Sequence, residues 1–283
     1  MPRTGSKGLI DLTRLNCLRD RSLGLEPAPF LRTGNDAVRF LRRVGVALRY
    51  GAGAALPLAS MYHAASGPDR DNAALVHAIE VTNHVLETAN GIEVNVIADR
   101  LCLVDRAVMP FLYILVRRGR SGDDLAGLTL NARRAYQMIR DQRQTTAGRL
   151  RRHLGAPAGQ KIDPAYEALS ELQKALLVDR GPFEVRRSGV PYLSKEGYPY
   201  HLLEAVHPDL VDSAVSVPSA ARGLLSAYLG GARFCSIAKL KTMFRLALRS
   251  EEIDEALSAM AASREVTRQG TGQSGVAILE SVK

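Results

Sequence analysis

Arginine is concentrated in one part of the chain, and it is the residue type best suited to bind phosphate groups. Residues 111–160 contain ten arginines and three aspartates, so this segment carries a net charge of +7 in a chain whose total is +9. A guanidinium group donates paired hydrogen bonds to phosphate oxygens, and a basic surface attracts polyanions by Coulomb forces and counterion release. The charge pattern indicates a nucleic-acid partner, and a solvated basic surface is the alternative.

The candidate contacts to double-stranded DNA lie on predicted helices and on a predicted hairpin. Arg149 and Arg186 are typical of phosphate contacts, which position a protein without reading sequence. Gln173 lies on a helix that would enter the major groove of a helix-turn-helix complex. The full set of predicted DNA-binding residues is Arg133, Arg143, Thr145, Thr146, Arg149, Arg151, Arg152, Lys161, Gln173, Lys174, Arg186, Arg187, Lys239 and Lys241.

The other residue types that carry chemistry indicate no metal or cofactor. His77 and His84 can share a helix face, but no acidic residue accompanies them at a metal-binding spacing. Cys17, Cys102 and Cys235 are far apart and form no CxxC pair. The sequence also contains no P-loop, dinucleotide-binding glycine pattern, GxSxG or HExxH motif. We therefore predict no metal site and no cofactor.

A pattern that occurs twice indicates the elements that position the arginines. Residues 146–152 (TAGRLRR) are echoed by residues 236–242 (SIAKLKT), and EALS occurs at both 167–170 and 255–258. A helical segment precedes each copy and a strand-like pair follows it, which is the order of a winged helix. We predict a mainly α-helical fold with small β wings, built from tandem winged-helix (helix-turn-helix) domains.

Turn and capping residues divide the chain into predicted segments. Asn35 or Asp36 is expected to cap a helix, and Gly230-Gly231 is expected to end one. The other predicted caps are Thr145 or Thr146, Asp163 and Ser236. Ile92–Cys102 is either a strand or the continuation of a helix, because a short apolar run does not distinguish them. The segments are an N-terminal arm (1–32) with a short helix at 12–19, a helical or degenerate winged-helix module (33–118), and winged helices at 128–203 and 218–283.

Composition excludes several classes of protein. Aromatic residues make up 5% of the chain and tryptophan is absent, which argues against a stacking platform for single-stranded nucleic acid. No apolar run approaches the ~20 residues that span a bilayer, so no membrane partner is expected. The first residues lack the apolar run of a secretory signal. With three scattered cysteines, these features predict a reduced, cytoplasmic setting.

The layout resembles the tandem winged-helix DNA glycosylases that unhook interstrand crosslinks and remove alkylated bases, and more closely their shorter relatives. The resemblance implies a role in repair of damaged duplex DNA. In those glycosylases, a Gln-x-Gln or Gln-x-Asp pair after the first helix positions the attacking water. The corresponding stretch here, residues 44–53, has no Gln, Asp or Glu, so the catalytic residues do not carry over. The matching segments are residues 37–45, 56–62, 110–113 and 166–173 and the wing.

The sequence therefore predicts a winged-helix DNA-binding protein linked to DNA damage or repair, and three alternatives stay open. One is an active DNA glycosylase with an unfamiliar catalytic residue. Another is a transcription regulator, which would need dimer geometry and a palindromic site. The third is a protein-interaction module, because the third helix of the second copy carries carboxylates that a DNA backbone would repel. These acidic residues are Glu251, Glu252, Asp254 and Glu255.

Overall fold

Helices and short strands alternate along the chain, over the residues that this computed structural model describes: 12–25, 31–51, 56–67, 71–155, 163–181, 197–269 and 275–279. Most of the regular structure is helical, and the strands form small sheets of three or four strands. The prediction of a mainly α-helical fold with small β elements is therefore confirmed. Among the described residues, no helix has both the length and the apolar character needed to cross a bilayer.

The first module follows an N-terminal helix, α1 (Leu12–Ser22), which lies in the predicted arm. The segment from Ile92 to Cys102 is a β-hairpin rather than a helix, and its two strands pair antiparallel. The sheet has the order β2-β1-β4-β3. The elements of this module are α2 (Gly34–Val44), β1 (Val46–Leu48), β2 (Ala59–Ser60), α3 (Met61–Ser66), α4 (Asn72–Glu87), β3 (Gly91–Ile97), β4 (Arg100–Asp105) and α5 (Met109–Arg117).

Helix α2 begins two or three residues before the predicted position. Thr33 is the N-cap, and its hydroxyl accepts a hydrogen bond from the Asp36 backbone N–H at 3.1 Å. The Asp36 carboxylate accepts in return from the Thr33 backbone N–H at 2.9 Å. The expectation that Asn35 or Asp36 caps this helix was wrong, because the reciprocal pair satisfies two free N–H groups where a single side chain would satisfy one.

The second module contains the segment with the highest positive charge. Its caps are the predicted ones: the Thr146 hydroxyl accepts from the Arg149 N–H at 3.2 Å, and the Asp163 carboxylate accepts from the Ala165 N–H at 3.0 Å. The sheet has the order β5-β7-β6. The elements are α6 (Leu130–Gln142), β5 (Gln144–Thr146), α7 (Ala147–His153), α8 (Pro164–Lys174), β6 (Val178–Arg180), β7 (Pro199–Leu202) and α9 (Leu203–Val206).

The third module repeats this arrangement. Ser236 caps its second helix through the Lys239 N–H at 3.3 Å, as predicted. Its sheet has the order β8-β10-β9. The elements are α10 (Val217–Ala232), β8 (Phe234–Ser236), α11 (Ile237–Phe244), α12 (Ser250–Ala262), β9 (Val266–Gln269) and β10 (Val276–Leu279).

The three sheets have the same strand pairing between the inter-helix strand and the hairpin. In each module, a short strand between the first and second helices pairs antiparallel with the second strand of the hairpin that follows the third helix. The sequence did not predict β5 or β8, because a strand of three residues is too short to show a period-2 pattern. These strands fix the first helix of each module against its own hairpin.

Close contact between helices joins the first and third modules. Helix α10 runs through Gly230 and Gly231 to Ala232, so the prediction that these glycines end the helix was wrong. A Cβ at Gly231 would lie 2.7 Å from the Cα of Val44 in α2, which shows how closely the two helices approach. The two modules also share one apolar core, which includes Leu176 and Leu203 of the second module, and the first and second modules each have a further apolar cluster. Helix α1 also contacts the third module, because Leu15 packs against Phe234.

Candidate nucleic-acid interface and adjoining cavity

Helix α7 carries three of the predicted phosphate contacts, and the structure separates their roles. Arg149 and Arg152 are exposed, whereas Arg151 is partly buried and forms an ion pair with Asp163 at 2.9 Å. The hydrogen bond that Arg151 donates to the Asp163 carboxylate raises the pKa of Arg151, and the guanidinium also lies 5.7 Å from the Tyr166 ring centroid. Arg151 therefore joins α7 to α8, and its charge is partly balanced within the module.

Among the predicted contacts before α7, some are exposed and others are buried or used within the fold. Arg133 and Arg143 are exposed, and Arg143 ends α6 in the left-handed conformation with φ 65°. Thr146 is occupied as the cap of α7. Thr145 is 1% exposed, because its side chain lies on the inner face of β5. Thr145 is therefore not presented to a partner in this structure, contrary to its predicted contact.

Helix α8 packs against the first module instead of standing free on the surface. Gln173 is 3% exposed, so its amide is not available to a DNA groove, contrary to the prediction. The Ser170 hydroxyl accepts a hydrogen bond from the Asn95 side-chain amide of β3 at 2.8 Å. Lys174 forms an ion pair with Asp99 at 2.7 Å and stays partly exposed. The predicted contacts Lys161, Arg186 and Arg187 lie outside the described residues.

The third module balances much of the charge that the sequence places on it. Lys239 is exposed, but Lys241 forms an ion pair with Asp254 at 2.7 Å. Arg118, which follows α5, contacts both carboxylate oxygens of Glu252 at 2.8 Å. Hydrogen bonds from Arg118 and Arg249 lower the pKa of Glu252 to about 2. Part of the acidic face of α12 is therefore bound to arginines of this chain.

A buried ionic cluster lies between the first and second modules. Glu93 of β3 is fully buried and pairs with Arg49, which follows β1, and with Arg180 of β6. Burial opposes ionisation of Glu93, but the positive charges of Arg180 and Arg49 outweigh it and hold the pKa of this carboxyl below its usual value. The cluster contains two guanidinium groups and one carboxylate, so it retains one positive charge in the interior.

Tyrosine side chains cover this excess positive charge. The Arg180 guanidinium lies 3.9 Å from the Tyr198 ring centroid, and the Arg49 guanidinium lies 5.0 Å from it. Aromatic faces attract cations most strongly where water is excluded. The Tyr198 hydroxyl lies 3.3 Å from that of Tyr50, whose side chain extends to the surface. The tyrosine pair thus connects the buried cluster to the molecular surface.

A cavity of about 350 Å³ opens beside Tyr50. We call it the Tyr50 cavity. Its volume lies within the range of roughly 300–1,000 Å³ that is usual for small-molecule sites. Asp99, at the tip of the β3–β4 hairpin, is the one carboxylate among the described residues of its lining. The lining consists of Leu48, Tyr50, Gly51, Leu56, Asn95, Asp99, Arg100 and Leu101.

The carboxylates near this cavity differ in what they can do chemically. Glu93 is sealed from solvent and held by two arginines, so it cannot activate a water molecule at the cavity. Asp99 is partly exposed, and the hydrogen bond from Lys174 lowers its pKa. Asp99 is therefore anionic at neutral pH, and Lys174 and Arg245 balance its charge in this structure. The sequence did not indicate Glu93, Arg180 or Asp99, because their partners are distant along the chain.

The fold is similar to the solved structure of the Streptomyces sahachiroi DNA glycosylase AlkZ, with a TM-score of 0.57 and 14% sequence identity. The similarity covers 97% of this chain and 71% of that chain. No protein-family model and no curated protein sequence matches the chain. The resemblance predicted from sequence is therefore confirmed for the fold, which this chain shares with a solved DNA glycosylase.

Proposed function

We propose that this protein is a tandem winged-helix protein that binds double-stranded DNA and acts in DNA repair. The three modules share the helix, strand, helix, helix, hairpin order of a winged helix. The observation that carries DNA binding is the exposure of four predicted contacts on α7 and on the segment before it, which we call together the α7 surface: Arg133, Arg143, Arg149 and Arg152. Among the described residues, no acidic side chain forms an ion pair with Arg149. The fold it shares with AlkZ supports the link to repair.

The DNA is expected to lie against α7 rather than α8, unlike in the usual helix-turn-helix complex. The third helix of the second module, α8, packs against β3, and its residues Ser170 and Lys174 are bonded to the first module. The phosphate backbone therefore lies against the α7 surface, and α8 does not insert into the major groove. Contacts of this kind fix position but carry little sequence information. The protein is expected to bind duplex DNA with weak sequence preference.

The test is binding of a plain duplex across a salt series, with the double variant Arg149→Glu and Arg152→Glu. Each lost phosphate contact lowers the slope of log affinity against log salt by about one, so we expect a slope about two units smaller and weaker binding at every salt concentration. A charge-matched control carries Arg39→Glu and Arg42→Glu on the exposed face of α2. If both double variants bind like the parent protein, the α7 surface does not bind DNA.

A second candidate function is an active DNA glycosylase, and the Tyr50 cavity is the observation that favours it. A glycosylase must stabilise an oxocarbenium-like transition state, and Asp99 is the carboxylate at the cavity, where a substrate must first displace its partners Lys174 and Arg245. The test is formation of abasic sites in alkylated and crosslinked duplexes, with Asp99→Asn expected to remove the activity. Absence of base release from all of these substrates rejects this candidate and leaves the DNA-binding proposal intact.

A further inference from the structure

Helix α8 meets two different surroundings along its length. Its second half packs against the first module, where Ser170 and Lys174 form polar contacts. Its first turn lies beside α7 instead and carries Tyr166, which is 46% exposed. In the described part of the chain, Tyr50 is the only other exposed aromatic residue. The first turn of α8 therefore presents an aromatic ring to solvent next to the α7 surface.

Contacts near both ends of α7 hold the Tyr166 side chain. The guanidinium of Arg151, on the last turn of α7, lies 5.7 Å from the Tyr166 ring centroid. At the other end, a Cβ at Gly197 would lie 3.3 Å from the Tyr166 hydroxyl oxygen and 3.5 Å from the Cβ of Ala147, the first residue of α7. The ring is therefore oriented along α7 before any partner binds, which lowers the conformational entropy that binding would cost.

The groups around this ring differ in charge. Arg151 is paired with Asp163, so it positions the ring and its own charge is largely balanced. Arg149 and Arg152 are exposed on the same helix and are the phosphate contacts of the proposed function. Tyr166 adds an uncharged ring beside them. A DNA strand alternates phosphate groups with deoxyribose rings, whose carbon atoms are apolar, so cations and ring together match both components of a strand.

We propose that Tyr166 packs against a deoxyribose of the strand whose phosphates contact Arg149 and Arg152, and that this contact makes the α7 surface selective for nucleic acid over other polyanions. The inference rests on the proposed function and adds a contact that charge alone does not supply. Arginines attract the phosphates of any polyanion, whereas an apolar contact requires the carbon atoms of a sugar. Because the ring carries no charge, its contribution stays constant while salt weakens the phosphate contacts.

A purely structural role for Tyr166 makes a different prediction. If the ring only holds α7 against α8 through Arg151, its loss displaces α7 and weakens the binding of every polyanion alike. If the ring contacts deoxyribose, its loss weakens the binding of DNA and leaves the binding of a polyanion without sugars unchanged. Inorganic polyphosphate is such a polyanion, since it consists of phosphate groups alone.

The experiment measures the affinity of each variant for a plain duplex and for inorganic polyphosphate by calorimetric titration across a salt series. Tyr166→Ala should lower the duplex affinity about fivefold at every salt concentration, with an unchanged salt slope and an unchanged polyphosphate affinity. Tyr166→Phe keeps the ring and should bind both ligands like the parent protein. Arg149→Glu with Arg152→Glu should weaken both ligands. The control Val211→Ala removes an exposed apolar side chain after α9 and should change neither affinity.

The outcomes distinguish this inference from the proposed function. Duplex binding that is unchanged in Tyr166→Ala overturns the inference and leaves DNA binding standing. Equal weakening of duplex and polyphosphate in this variant also overturns it, because the ring then only positions α7. A loss of duplex affinity in Tyr166→Phe assigns the contact to the hydroxyl and overturns the contact between ring and sugar. If the parent protein binds no duplex, the proposed function fails and this inference fails with it. Thermal unfolding of each variant shows whether the fold is retained.

Discussion

Arg180 of β6 and Glu93 of β3 form a two-pronged ion pair across the boundary between the second and first modules. The Arg180 Nη2 group donates to Glu93 Oε2 at 2.5 Å, and Nε faces the other carboxylate oxygen. The Glu93 side chain is fully buried and that of Arg180 is 5% exposed, so water screens neither charge. The contact joins residues 87 positions apart and fixes the two modules against each other.

Replacing Glu93 by glutamine should destabilise the protein strongly. The change keeps the shape of the side chain but leaves the charges of Arg49 and Arg180 buried without a carboxylate. Breaking a buried pair in this way costs about 3–5 kcal/mol of the free energy of unfolding. Urea unfolding of the parent and the variant measures the difference. The matched control is Glu265→Gln, which removes an exposed ion pair with Arg222 and should have a much smaller effect.

Two neighbouring glycines in α10 should respond to alanine with opposite signs. Gly231→Ala places a Cβ about 2.7 Å from the Val44 Cα, where backbone must move, and should cost about 1–3 kcal/mol of stability. Gly230→Ala meets no atom within 4 Å and should stabilise the helix by about 0.5–1 kcal/mol. Thermal unfolding of both variants checks this. Equal effects would contradict the close packing of α10 on α2.

The pKa of Glu252 makes stability depend on pH below neutrality. Its folded-state value is about 2, below the ordinary value of 4.5, so its ion pairs stabilise the folded protein fully above pH 4.5. This contribution is lost as the pH falls from 4.5 towards 2. The difference in unfolding free energy between the parent and Glu252→Gln should therefore be larger at pH 6 than at pH 3. The control is Glu251→Gln at the exposed neighbouring position. If the difference in unfolding free energy between the parent and Glu252→Gln does not change with pH, the lowered pKa of Glu252 is contradicted.

Two arginines on α7 should separate DNA affinity from stability. Arg149 is exposed, so Arg149→Gln should weaken duplex binding at low salt and leave the Tm unchanged. Arg151 links α7 to α8 through Asp163, so Arg151→Gln should lower the Tm. Anisotropy titrations and thermal unfolding of the same two preparations make the comparison. A lower Tm for Arg149→Gln and weaker DNA binding for Arg151→Gln would contradict these assignments.

The helices of the second and third modules could be predicted from sequence because their signals are local. Thr146, Asp163 and Ser236 each cap a helix by bonding a backbone N–H two or three residues away. Such contacts require no partner from elsewhere in the chain. The hairpin strands β9 and β10 were predicted for the same reason. In the first module, the alternatives for residues 92–102 were decided by the pairing of β3 with β4 and of β4 with β1.

The candidate site could be predicted only in part. The sequence indicates where positive charge collects, and Arg149 and Arg152 are indeed exposed. The sequence does not show which of the predicted contacts are buried in the folded protein. Thr145 and Gln173 are polar and look available, yet both are buried because β5 and α8 pack inward. The Tyr50 cavity was not predicted at all, since its lining comes from residues on β1, β3, β4 and the loops beside them.

The sequence by itself determined the helical content, the repeated module and the basic character of this protein. Those properties depend on residue type and on spacing within a few residues. Only the tertiary structure decided that Gly231 continues a helix, that Glu93 is enclosed by two arginines and that Asp99 gathers cations from other modules. The physical reason is that burial, ion pairing and strand pairing are set by distance in space, and these partners are far apart along the chain.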